Sequence, residues 1–189
     1  MVIKTNTGLS AAFDSAYNAR IAVLHADLGI AAGYAQRSGL PLQIEPDELV
    51  DAGKDMFGRD QKLTPLALAA WQKMQLAAAE QGVTLLLVSA FRSVDYQAQL
   101  IRKKLDSGRT LEDIMQFNAA PGFSEHHTGR AVDIACPDAE PLQEEFEKTI
   151  AFNWLKVNAK DFGFVMSYPR DHRLAISYEP WHWCFQLDQ

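Results

Sequence analysis

Three short runs set the frame into which this chain must fold. "VTLLLVSAF" (83–91), "RAVDIAC" (130–136) and "YEPWHWCFQL" (178–187) are rich in branched and aromatic residues, the signature of buried strands. Gly82, the Gly129–Pro137 pair and Pro180 punctuate them, and a shorter run, "FVMSY", follows Gly163. The stretches between them carry helical spacing, and none holds the glycine-rich turn of a βαβ nucleotide site. The pattern predicts an α+β fold with a small, mainly antiparallel sheet flanked by helices.

The helical stretches follow from apolar spacing and from their punctuation. Over residues 10–37, Phe13, Tyr17, Ile21, Leu24 and Leu28 recur at helical intervals and predict one long amphipathic helix. "SGLPLQIEPDELV" then breaks it. Thr64 and Pro65 open a helix that runs past Trp71 and Met74 to about Gln81. Further helices are expected over 94–107, closed by Gly108, and over 141–161, ended by Gly163. The organisation expected is a helical N-terminal extension, residues 1–46, followed by one domain, residues 47–189.

With 189 residues, 48% of them hydrophobic, the chain can bury an ordinary single core. Its formal net charge of -6 argues against nucleic acid, which needs clustered cations. The densest basic run, Arg102, Lys103 and Lys104, is read as the solvated face of a helix. Two cysteines, Cys136 and Cys184, are too few for a disulfide scaffold. Asp14 and Arg20 interrupt the apolar residues near the N-terminus, so neither a signal peptide nor a membrane span is expected. That leaves a cytoplasmic protein, or one whose export signal has been removed. The oligomeric state is left open.

Two segments concentrate the chemistry. In "SEHHTGRAVDI" (124–134), Gly129 lets the backbone turn, and strand alternation places Val132 and Ile134 on a core face with Asp133 opposite, beside the small Ala131. A histidine just before the turn can fold back towards Asp133. Imidazole and carboxylate are both donors for a divalent metal, although Asp133 could equally bond the turn amides. In "EPWHW" (179–183), Trp181 and Trp183 share one face, which turns His182 the other way with Cys184. Glu179 stands at the bend made by Pro180.

Ser124, His126, Gly129, Ala131 and Asp133 spell SxHxxGxAxD, and Glu179 and His182 spell ExxH. Together with "SAFRSVDYQAQL" and "FGFVMSYP", these ordered segments resemble the zinc D-alanyl-D-alanine carboxypeptidases of the VanY type, over roughly residues 47–187. The resemblance implies the hedgehog/DD-peptidase fold. It implies Zn2+ held by His126, Asp133 and His182, with Glu179 as catalytic base and Arg92 facing the substrate or its oxyanion. Ser124 and Gln97 match substrate-binding positions. The motif's spacing selects His126 as the ligand, leaving His127 second to it or exposed. Three protein ligands keep a fourth position for water. One carboxylate among them leaves the centre formally one charge positive, which would help Glu179 stay ionised.

The resemblance implies a peptidoglycan stem peptide as substrate, cut at a C-terminal D-amino acid, most simply D-Ala. L,D-carboxypeptidase and D,D-dipeptidase specificities occur among such relatives, and a non-catalytic metal-binding module on the same fold is the alternative from another class. Cys184 stands where relatives often carry arginine. It is read as a small buried hydrophobe rather than a thiolate ligand, and no Cys136–Cys184 disulfide is expected. His25 and His172 are read as structural or exposed.

Overall fold

The computed structural model describes residues 7–186, with side chains from residue 15 onward. Helices α1 (Thr7–Leu28), α2 (Tyr34–Ser38), α3 (Pro65–Glu80), α4 (Val94–Asp106), α5 (Leu111–Met115) and α6 (Ile150–Asn158) surround two sheets. Strands β1 (Val50–Lys54) and β2 (Asp60–Leu63) pair as a hairpin. Strands β3 (Leu86–Ser89), β4 (Ala131–Ala135), β5 (Phe164–Met166) and β6 (His182–Phe185) form a second sheet in the order β3-β4-β6-β5, every neighbour antiparallel. This is the α+β layout that the strand punctuation predicts.

Alternation along β4 and β6 divides the main sheet into an apolar face and a polar one. Val132, Ile134, Trp181 and Trp183 join Trp71 and Met74 of α3 and Phe152 and Leu155 of α6 in one core. A second core joins Tyr17, Ile21 and Leu28 of α1 to Val94 and Ile101 of α4. Each fully buried side chain of this size contributes about 1.5–3 kcal/mol. No helix among the described residues is long and apolar enough to cross a membrane.

Three elements differ from the sequence reading. The helix expected over 10–37 stops at Leu28, because Gly29 and Gly33 take left-handed conformations (φ 73° and 75°) and α2 restarts as a separate turn. The helix expected over 141–161 is continuous only from Ile150 to Asn158. Leu142 adopts a positive φ of 59°, a 3-10 turn fills Glu144–Lys148, and the Thr149 hydroxyl accepts from Phe152 N (3.1 Å) to begin α6.

The third difference is the β1–β2 hairpin, which the polar sequence "DAGKDMFGRDQKL" does not announce. Its organiser is the buried Asp55 carboxylate. It accepts from Phe57 N (2.9 Å), Arg59 N (3.0 Å), Arg59 Nε (2.6 Å) and Gln61 Nε2 (2.9 Å). Arg59 then reaches Val88 O (2.8 Å) and Gln61 Oε1 accepts from Ala90 N (2.9 Å), which ties the hairpin to β3 and the segment after it.

Burial pushes the Asp55 carboxyl up, but the bonds from Arg59 and Phe57 outweigh it and hold the group below the usual range. A depressed carboxyl contributes stability above its unfolded pKa of about 3.9 and loses it as pH falls. Asp55→Asn is expected to cost about 1.5–3 kcal/mol at pH 7, as for charged hydrogen bonds. Urea unfolding at several pH values checks this, and the gap from the wild type should close below about pH 4.

Candidate metal centre

The segment before β4 folds as a 3-10 turn, Glu125–Thr128, ended by Gly129 at φ 64°. A side chain at 129 would also crowd Leu49, whose Cδ2 lies 2.7 Å from an ideal Cβ. The turn reverses the chain so that His126, 1% exposed, folds back over β4. Antiparallel pairing then sets Asp133 opposite His182 across β4 and β6. One donor atom from each of His126, Asp133 and His182 lies within 4.8 Å of the others.

Hydrogen bonding fixes which atoms these are. His126 Nδ1 lies 2.6 Å from Ala90 O, an acceptor only, so Nδ1 carries the proton and Nε2 is a bare lone pair. That Nε2 is buried, has no hydrogen-bond partner, and faces Asp133 Oδ2 at 3.2 Å. Burial, aided by Arg92, pushes the imidazole down to about 4, so at neutral pH a proton does not relieve the two facing acceptors. A cation would. His182 repeats the arrangement with Nδ1 at 3.1 Å from Asp133 Oδ1 and Nε2 at 2.9 Å from Glu125 Oε2. Burial opposes a charge on His182, yet the bonds to Asp133 and Glu125 outweigh it and raise the imidazole to about 10. Two imidazole nitrogens and a carboxylate are a donor set that fits zinc.

Glu125 escaped the sequence reading, although it lies inside the quoted segment and touches His126 in sequence. A 3-10 turn has no periodicity in sequence to say that its side chain crosses to β6. Although burial raises its carboxyl, the His182 bond holds it below the usual range. The carboxylate–histidine pair fixes the ring orientation, and it would fix the tautomer of an imidazole whose Nδ1 held a metal. With Glu125 beside His182, two carboxylates, those of Asp133 and Glu125, face this imidazole, and Arg92 is the cation nearest Asp133.

Arg92 enters from the segment after β3, with Nη2 3.8 Å from Asp133 Oδ2 and a buried Nε without a hydrogen-bond partner. Glu179, 7% exposed, has Oε2 3.9 Å from His182 Nδ1. Burial, with Asp133 adding to it, pushes its carboxyl up to about 8 despite His182. His127 is fully buried rather than exposed. Its Nδ1–H donates to Arg92 O (2.6 Å) and its Nε2 accepts from Gly122 N (3.1 Å), so it ties the arginine's backbone to the loop before the turn.

All seven residues singled out in the sequence, with Ser124 and Gln97 among them, line one cavity of about 1000 Å³. Gln97 Nε2 donates to Ala119 O (2.8 Å), while its buried Oε1 has no partner. Cys184 is buried beside Ala131 and stands outside the three-residue cluster, and both cysteines are free. His25 is bonded to Pro121 O (2.8 Å), and His172 Nδ1 accepts from Leu174 N (3.1 Å). The basic run corrects one reading: Arg102 and Lys103 are exposed, but Lys104 is half-buried and lines the cavity.

The profile of the VanY D-alanyl-D-alanine carboxypeptidases matches residues 60–188. The chain belongs to this family. It is 32% identical over 153 residues to the putative carboxypeptidase YodJ of Bacillus subtilis, covering 76% of this chain and 55% of YodJ, so it spans little more than half of that relative's length. Among VanY-like solved structures it is similar to the LD-carboxypeptidase LdcB (TM-score 0.67, 31% identity, covering 77% of this chain and 71% of LdcB). It is also similar to a mutant VanB-type D,D-pentapeptidase VanY in complex with Zn(II) (TM-score 0.58, 26% identity, covering 77% of this chain and 82% of that one).

Replacing His127 with leucine would strand a buried carbonyl and a buried amide at the VanY-type site. His127→Leu is expected to lower unfolding free energy by about 2–4 kcal/mol, read by chemical denaturation.

Proposed function

We propose that the chain is a zinc-dependent carboxypeptidase that removes a C-terminal D-amino acid, D-Ala, from peptidoglycan stem peptides. The observation that carries this reading is the buried pair of facing acceptors, His126 Nε2 and Asp133 Oδ2 at 3.2 Å, with Glu179 beside the third donor, His182. His126 Nε2, an Asp133 oxygen and His182 Nδ1 would hold the zinc. The Zn(II) complex of a VanY relative supports the choice of ion. Residues 47–189 are the proposed peptidase unit, and residues 1–46 its helical extension.

When bound, zinc supplies Lewis acidity towards the scissile carbonyl and lowers the pKa of water to about 7. The protein's own groups do the rest. Glu179 takes a proton from the attacking water as its oxygen adds to the carbonyl carbon. The same carboxyl returns the proton to the amine nitrogen as the C–N bond breaks, leaving a carboxylate and a free amino acid. A buried carboxyl raised towards neutrality suits both halves of that exchange. Arg92 lies beside Asp133 with an unpartnered Nε–H, a donor for the developing oxyanion. Ser124 and Gln97, on the cavity wall, are proposed to orient the peptide, and the free Gln97 Oε1 is an acceptor for a substrate N–H.

The test is incubation of the zinc-loaded protein with a panel of muropeptides, reading product masses. Loss of one C-terminal D-Ala is the expected result. Cleavage only of the L,D bond of a tetrapeptide would move the specificity towards that of LdcB, and hydrolysis unaffected by chelation would overturn the zinc reading. Glu179→Gln should retain zinc while turnover falls about 10²- to 10⁴-fold, the range for a lost general base. Glu125→Gln keeps the shape but removes the charge behind His182. It should weaken zinc binding about 10- to 100-fold, measured by competition with a chromophoric chelator.

A further inference from the structure

The cavity has a second pole. From its N-cap Ser93 onward, α4 lines the cavity with Gln97, Leu100 and Lys104 at helical intervals, so the helix presents one continuous stripe to the substrate space. Lys104 lies about 10 Å along the axis from Gln97, but helical side chains tilt towards the N-terminus, which turns its ammonium back towards Arg92. Asn118 fixes it there. Asn118 is buried, its Nδ2 donates to Ile114 O (2.9 Å), and its Oδ1 accepts from Lys104 Nζ (2.8 Å). Arg109 also lines the cavity and is near enough to Lys104 to repel it.

Lys104 is a half-buried cation held by a neutral amide rather than by an ion pair. Burial lowers the Lys104 pKa, and repulsion from Arg109 and Arg92 lowers it further, against a smaller opposing pull from Glu179 across the cavity. No carboxylate among the described residues forms an ion pair with Lys104 or Arg109. An ammonium has three donors, and Asn118 takes one. The other two stand in a cavity where the buried Gln97 Oε1 and Arg92 Nε also lack partners. In a chain of net charge -6, this basic end, whose cations form no ion pair, is placed for an anion.

We propose that Lys104, seated on Asn118 and seconded by Arg109, is a specificity-determining residue that binds a carboxylate of the peptide, either its C-terminal carboxylate or the side-chain carboxylate of an upstream residue. The assignment rests on the peptidase reading of the same cavity. Lys104 takes no part in the bond cleavage. It selects and seats the substrate by charge-assisted hydrogen bonds.

The experiment uses four synthetic peptides built on the C-terminal pair that the muropeptide panel identifies. They end in a free acid or an amide, and carry either a side-chain carboxylate or its carboxamide upstream. Lys104→Met is expected to lower kcat/KM on the order of 10- to 100-fold, through KM, only for peptides that carry the recognised carboxylate. Lys104→Arg should restore the discrimination. A loss confined to the C-terminal acids identifies that carboxylate as the ligand, and a loss confined to the acidic side chain identifies the other. Equal losses on all four peptides, or none, would overturn the proposal, because a merely structural lysine does not sort its substrates. If the wild type hydrolyses none of them, the peptidase reading is what has failed. Calorimetric binding of the same peptides to wild type and Lys104→Met still decides the role of Lys104, since equal affinities for acid and amide in both proteins would remove it.

Discussion

Two buried hydrogen-bond acceptors held face to face organise this protein. The Ala90 carbonyl claims the only proton of the His126 ring, and the bare nitrogen that results is pressed against Asp133. Left alone, such a contact is repulsive, and repulsion between buried acceptors is costly. It persists because the elements around it are fixed for other reasons: β4 by its apolar face, the turn by Gly129, and Ala90 by its bond to Gln61. Folding free energy from the core thus maintains a polar arrangement whose own preference would be to separate.

The antiparallel pairing of β4 with β6 does the rest. Because side chains alternate along a strand, one register both seats Val132, Ile134 and Trp183 in the core and brings Asp133 opposite His182. A slip of one residue would turn both polar side chains into the core and expose the tryptophan. Packing and site geometry are therefore enforced by the same pairing, which explains how residues so far apart in sequence meet without a dedicated linker.

The strands and their faces were legible because a period of two is short enough to read from five residues. Asp133 opposite Val132 and Ile134, and His182 opposite Trp181 and Trp183, follow from alternation alone. What the sequence hid has specific causes. The hairpin of residues 50–63 is held by Asp55 and its hydrogen bonds, and such bonds leave no hydrophobic period. The alanine-rich pattern of the first helix runs on past Gly29 and Gly33, where only the backbone conformation records the break. Glu125 sits in a turn too short to have a face. Lys104 was masked by its neighbours Arg102 and Lys103, although its interval of seven from Gln97 was there to be read.

The two inner strands of the sheet are bonded on both sides, β4 by β3 and β6, and β6 by β4 and β5. Asp133 and His182 stand on them, whereas His126 stands on a single turn held against Ala90. That turn is pinned as well: Arg92 N donates to His126 O (3.1 Å), Thr64 N to Gly129 O (2.9 Å), and His127 bonds Arg92 O and Gly122 N. All three donors therefore project from backbone clamped on two sides, and the span between them, not the movement of either jaw, would decide which ion the grip accepts.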